Sequence, residues 1–149
     1  MEVVQVINPA ALDSALMADS LERVFPEDSV ALPGGFPAQR ELLKALVQDP
    51  AWRLWVGMEE GRLAGCCLAF SPPPGEPLLR PQVMHFHNEG SAALRRSLMD
   101  AWVAWFRSNG HIRAWAINAS DRPDSLWARA FRVAGEWQKV GSIMEVELR

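Results

Sequence analysis

The chain has no tyrosine, only two cysteines and three histidines, and no apolar run that approaches the length of a bilayer. Each shortage excludes something. The cysteines are neighbours, Cys66 and Cys67, and adjacent side chains of a strand point to opposite faces, so neither a routine disulfide nor a metal clip follows. They read as buried thiols in a reducing compartment. The longest apolar stretches, such as Leu63 to Phe70, fall far short of the ~20 residues of a membrane helix, and Met1-Glu2-Val3 opens a strand-like segment instead of a charged signal sequence. A cytoplasmic protein without a membrane partner is expected. Excess positive charge is lacking too: the net charge is -3 and the basic residues are scattered, so nothing favours a nucleic-acid partner. Finally, G-x-S-x-G, G-x-x-x-x-G-K-[ST] and a true G-x-G-x-x-G are all missing, which speaks against a serine hydrolase, a nucleoside-triphosphate enzyme and a dinucleotide enzyme.

What is present fits one packed domain spanning 1–149, because 149 residues with 49% apolar content can bury one substantial core and not two. Glu2 to Asn8, rich in Val and Ile, reads as an opening strand. Ala10 to Val24 carries Leu12, Leu16, Leu21 and Val24 near helical spacing, and Ala38 to Gln48 repeats the pattern with Leu42, Leu43, Leu46 and Val47. Between them, three prolines and Gly34-Gly35 predict an irregular loop from Pro26 to Pro37. Trp52 to Met58 and Arg62 to Phe70 form a hairpin around Glu59-Glu60-Gly61, with Gly61 where a tight turn needs positive φ. The proline-rich run Ser71 to Pro77 reads as a stiff connector, since proline cannot donate to a ladder, with a partner-binding polyproline segment as the alternative.

Gln82 to His87 is a short strand, and Ser91 to Ser108 is a helix with the apolar stripe Leu94, Leu98, Trp102, Trp105 and Phe106, closed by Asn109-Gly110. His111, just past that cap, is expected to face water or the negative helix end. Ile112 to Asn118 reads as a strand, Pro123 to Val133 as a helix, and Trp137 to Leu148 as one long or two short strands. An early antiparallel hairpin beside later βαβ units implies a mixed sheet with helices on its faces.

This order resembles the GNAT superfamily of N-acetyltransferases along nearly the whole chain. The resemblance implies an α/β (α+β mixed) fold, with a mostly antiparallel sheet of six to seven strands flanked by about four helices. In that family Arg or Gln, two residues, Gly, one residue, then Gly or Ala joins the fourth strand to the third helix and binds the coenzyme A pyrophosphate. Here the matching residues are His87, Asn88, Glu89, Gly90, Ser91 and Ala92. The two small positions match, and His87 replaces the leading Arg or Gln. With Phe86 and Ala93 on either side, His87, Gly90, Ser91 and Ala92 become the expected binders of acetyl-CoA. Physically, small residues let backbone N–H groups approach phosphates, and a helix N-terminus presents unpaired donors. Glu89 works against this by adding an anion. The plainer reading stays open beside it: Gly90-Ser91 turns the chain and Ser91 is the N-cap of a core helix.

The resemblance further implies that the fourth strand pairs with the pantetheine amides, and that the fifth ends near the thioester, at Ile117, Asn118 and Ser120. The family's tyrosine acid falls on Phe131, which cannot give a proton. Acyl transfer to an amine asks for a base, and His85, on the same strand face as His87, is the first candidate, with Glu89 and Asp121 behind it. A metal held by His85 and His87 lacks a third ligand at a diagnostic spacing, and none is expected. Two function classes follow. One is an acyl-CoA-dependent N-acyltransferase acting on a small-molecule or protein amine, whose pocket comes from Phe25 to Phe36 and the region of Trp137. The other is a GNAT-like domain without catalysis, serving as a binding, assembly or structural protein, for example in a bacteriophage virion, as a homodimer or with an assembly partner.

Overall fold

The computed structural model describes residues 1–24, 35–73, 75 and 79–116. The first strand, β1 (Glu2–Gln5), is followed by a 3-10 turn at Pro9–Asp13 and then by α1 (Ala15–Val24). The sequence pattern predicts one helix from Ala10. Ser14 divides it, because its extended backbone (ψ 148°) ends the 3-10 turn while its hydroxyl donates to the Ala11 carbonyl and accepts from the Met17 N–H. A short polar side chain competing for backbone groups in this way favours a cap over a helix interior. The second helix, α2 (Gly35–Val47), starts earlier than the proline content predicts. Pro37 falls in its first turn, where an N–H has no intrahelical partner to lose. The rest of the expected loop, residues 25–34, lies outside the described residues.

β2 (Trp52–Glu59) and β3 (Arg62–Phe70) form the expected hairpin. Both turn residues, Glu60 (φ 53°) and Gly61 (φ 73°), take the left-handed conformation whose twist suits a two-residue connection. β4 (Gln82–Asn88), α3 (Ala92–Ser108) and β5 (Trp115–Ala116) complete the described elements. The sheet order is β1-β2-β3-β4-β5, antiparallel throughout except for the parallel pair β4–β5. This mixed, mainly antiparallel α/β architecture agrees with the expectation. The described residues hold five strands and three α-helices, and the predicted elements after Ala116 lie outside them. Ile112, predicted to open a strand, is 95% exposed, and pairing begins only at Trp115.

The sheet carries a core on each face. On one side α3 buries Leu94, Leu98, Met99, Trp102, Trp105 and Phe106 against Trp55, Ala64, Cys67, Val83 and Phe86. Burying each such side chain contributes about 1.5–3 kcal/mol, so this stripe ties α3 firmly to the sheet. On the other side α1 and α2 bury Leu21, Val24 and Leu43 against Leu54, Val56, Leu63, Cys66 and Leu68. Cys66 and Cys67 thus belong to opposite cores, as strand alternation requires, and both thiols are free.

Two bulges adjust this alternation. Ala64 is the extra residue between the pairs Gly57↔Gly65 and Met58↔Leu63, and Met84 is the extra residue between Leu68↔His85 and Ala69↔Val83. The second sets the facing of β4, with Val83 and Phe86 toward α3 and His85 toward α1. At the far end of α3, Asn109 caps the helix and Gly110 (φ 81°) turns the chain. His111 does not simply face water: its Nε2 lies 3.0 Å from the hydroxyl of Ser71, which also accepts from Asn109 Nδ2 at 2.9 Å. Ser71 is buried, and between them the two contacts satisfy its hydroxyl.

Candidate functional site

The site grows out of the turn between β4 and α3. Glu89 N–H continues the sheet by donating to the Ala64 carbonyl at 2.8 Å, and Asn88 Nδ2 braces the turn by donating to the carbonyls of Gly90 and Ser91. Gly90 is where the chain passes closest to the core. A Cβ there would lie 2.9 Å from Leu94 Cδ2 and 3.2 Å from Ala64 Cβ, so a side chain would force the Leu94 methyl and the bulge beneath the turn to give way. Ser91 is the N-cap of α3, its hydroxyl accepting from Leu94 N–H at 3.1 Å. The two readings of Gly90-Ser91 therefore describe one object: a tight turn, a capped helix, and a helix N-terminus facing outward through the exposed residues Ala92 and Ala93. Among the described residues no acceptor takes the N–H groups of Gly90, Ala92 or Ala93. Unpaired amides at the positive end of a 17-residue helix can bind an anion.

Charged side chains crowd the same turn, and two of them were not anticipated. Glu59, at the end of β2, accepts from Ser91 N–H at 3.1 Å and from the Ser91 hydroxyl at 2.6 Å. Arg23, near the end of α1, forms an ion pair with Glu89 at 2.7 Å and donates to the Leu63 carbonyl at 2.7 Å. His87 Nε2 lies 3.3 Å from the other Glu89 oxygen. The carboxylate of Glu89 is thus ion-paired with Arg23 and hydrogen-bonded to the His87 ring. No local sequence signal points to Glu59 or Arg23, because both arrive from distant elements.

His85 reaches the end of α1, its Nε2 lying 2.6 Å from the Val24 carbonyl. A carbonyl only accepts, so this nitrogen carries the proton. Burial, the largest influence, brings the imidazole down to about 4 from an ordinary 6.5, the Val24 bond opposing and the neighbouring His87 adding to the fall. At neutral pH His85 is uncharged and a weak proton acceptor. Phe86 gives its ring to the α3 core, leaving only its backbone for a ligand. Asn118, Ser120, Asp121 and Phe131 lie outside the described residues, as does β4–β5 pairing beyond Val83↔Ala116. An open cleft of about 500 Å³, lined by Met1, Val4, Leu16, Val56, Met58 and Gly61, borders β1 and includes no residue of the turn. Among the described residues no group of three or more His, Cys, Asp or Glu could hold a metal, and no helix is long and apolar enough to cross a membrane.

No family model and no curated protein matches the chain. Solved structures do. The aminoglycoside N-acetyltransferase AAC(6')-Iy, in complex with a bisubstrate analogue that includes coenzyme A, superposes with a TM-score of 0.70 at 13% identity over 99% of this chain and 97% of that one. An aminoglycoside 6'-N-acetyltransferase from Acinetobacter baumannii gives 0.67 at 8% identity, covering 99% and 97% of the two chains. A ribosomal-protein-alanine N-acetyltransferase from Brucella melitensis gives 0.62 at 15%, covering 98% of each. Identities this low carry the fold and no more. The chain shares its fold with these N-acetyltransferases, the fold expected from the sequence.

Proposed function

We propose that the protein is an acyl-CoA-dependent N-acyltransferase, moving an acetyl group from acetyl-CoA to an amine, with the β4–α3 turn as the seat of the diphosphate. The observation that carries this reading is the set of Gly90, Ala92 and Ala93 N–H groups at the mouth of α3 that no acceptor takes among the described residues, beside a glycine packed close against Leu94 and Ala64. Backbone donors suit phosphate oxygens, and the helix end adds a partial positive charge. The fold neighbours support the coenzyme, since AAC(6')-Iy was solved with CoA.

In this reading the amine attacks the thioester carbonyl, the tetrahedral adduct collapses, and the sulfur leaves as the CoA thiolate and takes up a proton. Holding both reactants in line supplies most of the acceleration. A histidine that is protonated only near pH 4 is a poor base for this reaction, so we assign His85 to positioning: it fixes the end of α1 against β4. The amine then sheds its proton to water or arrives neutral. Asn118 and Ser120, carried over from the resemblance, are proposed beside the thioester. The acceptor is proposed to be a small-molecule amine, as for the neighbours solved with sisomicin and an acetylneamine conjugate. A protein amine is the other candidate, given the ribosomal-protein-alanine N-acetyltransferase among the neighbours.

Calorimetry with acetyl-CoA tests the reading. Micromolar binding that is lost in Gly90→Val, with the variant shown to be folded by circular dichroism, supports it. A second reading, a domain that binds without catalysis, is favoured by the carboxylate of Glu59 at the helix mouth and the low basicity of His85. No binding of acetyl-CoA at millimolar concentration selects that second reading.

A further inference from the structure

Two carboxylates meet at the turn before α3, and they are not balanced alike. Glu89 is ion-paired with Arg23 at 2.7 Å, and the His87 ring is hydrogen-bonded to its other oxygen at 3.3 Å. Glu59 has no Lys, Arg or His side chain within ion-pair distance among the described residues; its partners are the N–H and hydroxyl of Ser91. Its charge is therefore offset mainly by the positive end of α3, which is the same feature a diphosphate would use. The Glu59 carboxylate also lies against Gly90, 3.4 Å from where a Cβ would stand.

We infer that Glu59 is a built-in competitor at the diphosphate seat, an internal anion that weakens coenzyme binding and so tunes the affinity of the site. This rests on the acyltransferase reading and adds a determinant to it. Ser91 does not need the carboxylate charge to keep its geometry, since its hydroxyl also caps Leu94 and its carbonyl is held by Asn88 and by Arg95 N–H. Glu59→Gln keeps an oxygen acceptor for Ser91 and removes the charge. Glu59→Asp keeps the charge.

The experiment is calorimetric titration of the full chain with coenzyme A at low and high salt. Glu59→Gln is expected to bind about three- to tenfold tighter than the wild type at low salt, an advantage that shrinks with added salt as charges are screened, while Glu59→Asp stays within about twofold of the wild type. A purely structural role for Glu59 would not yield tighter binding. Equal affinities for wild type and Glu59→Gln, or weaker binding by Glu59→Gln, would overturn the inference and leave the acyltransferase reading standing. If neither the wild type nor any variant binds at millimolar coenzyme A, the acyltransferase reading fails and takes this inference with it.

Discussion

At the scale of single residues, His85 shows how burial changes what a side chain can do. Its type and place on the strand suggested a base near neutrality. In the fold it caps the last turn of α1 as a neutral imidazole, at about 4 instead of 6.5. The unfolded chain takes up a proton here below pH 6.5, and the folded chain only near pH 4. The stability tied to the neutral ring is thus complete above 6.5 and is lost as the pH falls toward 4, by on the order of 3 kcal/mol. In urea titrations across that window, wild type should lose that much more than His85→Gln; parallel curves would refute the assignment. The cysteines are a second case. Burial pushes both thiols well above their ordinary range, so neither should react with a thiol-specific chromophore at pH 8 in the native state, and both should react in denaturant. Strand alternation alone placed them on opposite faces. By contrast Glu59, 32 residues from Ser91 in sequence, carries no local pattern that could have joined it to the turn.

Among elements, α3 and the β2–β3 hairpin were legible because periodicity and turn chemistry are local properties. The predicted helix from Ser91 and the observed one differ only in counting the N-cap. Ser14, by contrast, splits what apolar spacing reads as one helix, since leucine periodicity does not register a hydroxyl bonding to its own backbone. Pro37 misled in the opposite direction, proline being compatible with a helix's first turn. In the hairpin, Glu60 holds positive φ without being glycine or asparagine, a conformation that costs an ordinary residue about 1 kcal/mol. Glu60→Asn should raise stability by about 0.5 kcal/mol in thermal melts, with no change in coenzyme binding. How α3 seats on the sheet depends on Gly65, where a Cβ would stand 2.8 Å from Leu98 Cδ1 and 2.9 Å from the His87 carbonyl oxygen. The second contact is backbone and cannot swing away. Gly65→Ala should cost about 2 kcal/mol in chemical denaturation, and it should also shift the β4 backbone that leads into the turn.

For the whole molecule, topology joins the pieces of the site. The order β1-β2-β3-β4-β5 sets the end of β2 and the end of β4 on either side of β3, which is why Glu59 can reach Ser91 and why Arg23 of α1 can reach Glu89. A ligand that binds only this assembled arrangement must stabilise it. Under the acyltransferase reading, coenzyme A at a hundred times its dissociation constant should raise the unfolding free energy by about 2.7 kcal/mol. A shift of the melting temperature that grows with coenzyme concentration would show it, and adding pantetheine alone should give a smaller shift.

By itself the sequence determined the element types between Trp52 and Gly110, the hairpin, the α3 stripe and the small residues at the β4–α3 turn, because spacing, glycine and capping act within a few residues. Only the tertiary structure decided the charge balance of that turn, the protonation of His85 and the role of Gly90 as a packing contact. Those depend on burial and on partners brought together from α1, β2 and β3, and no pattern along the chain encodes which distant group will arrive.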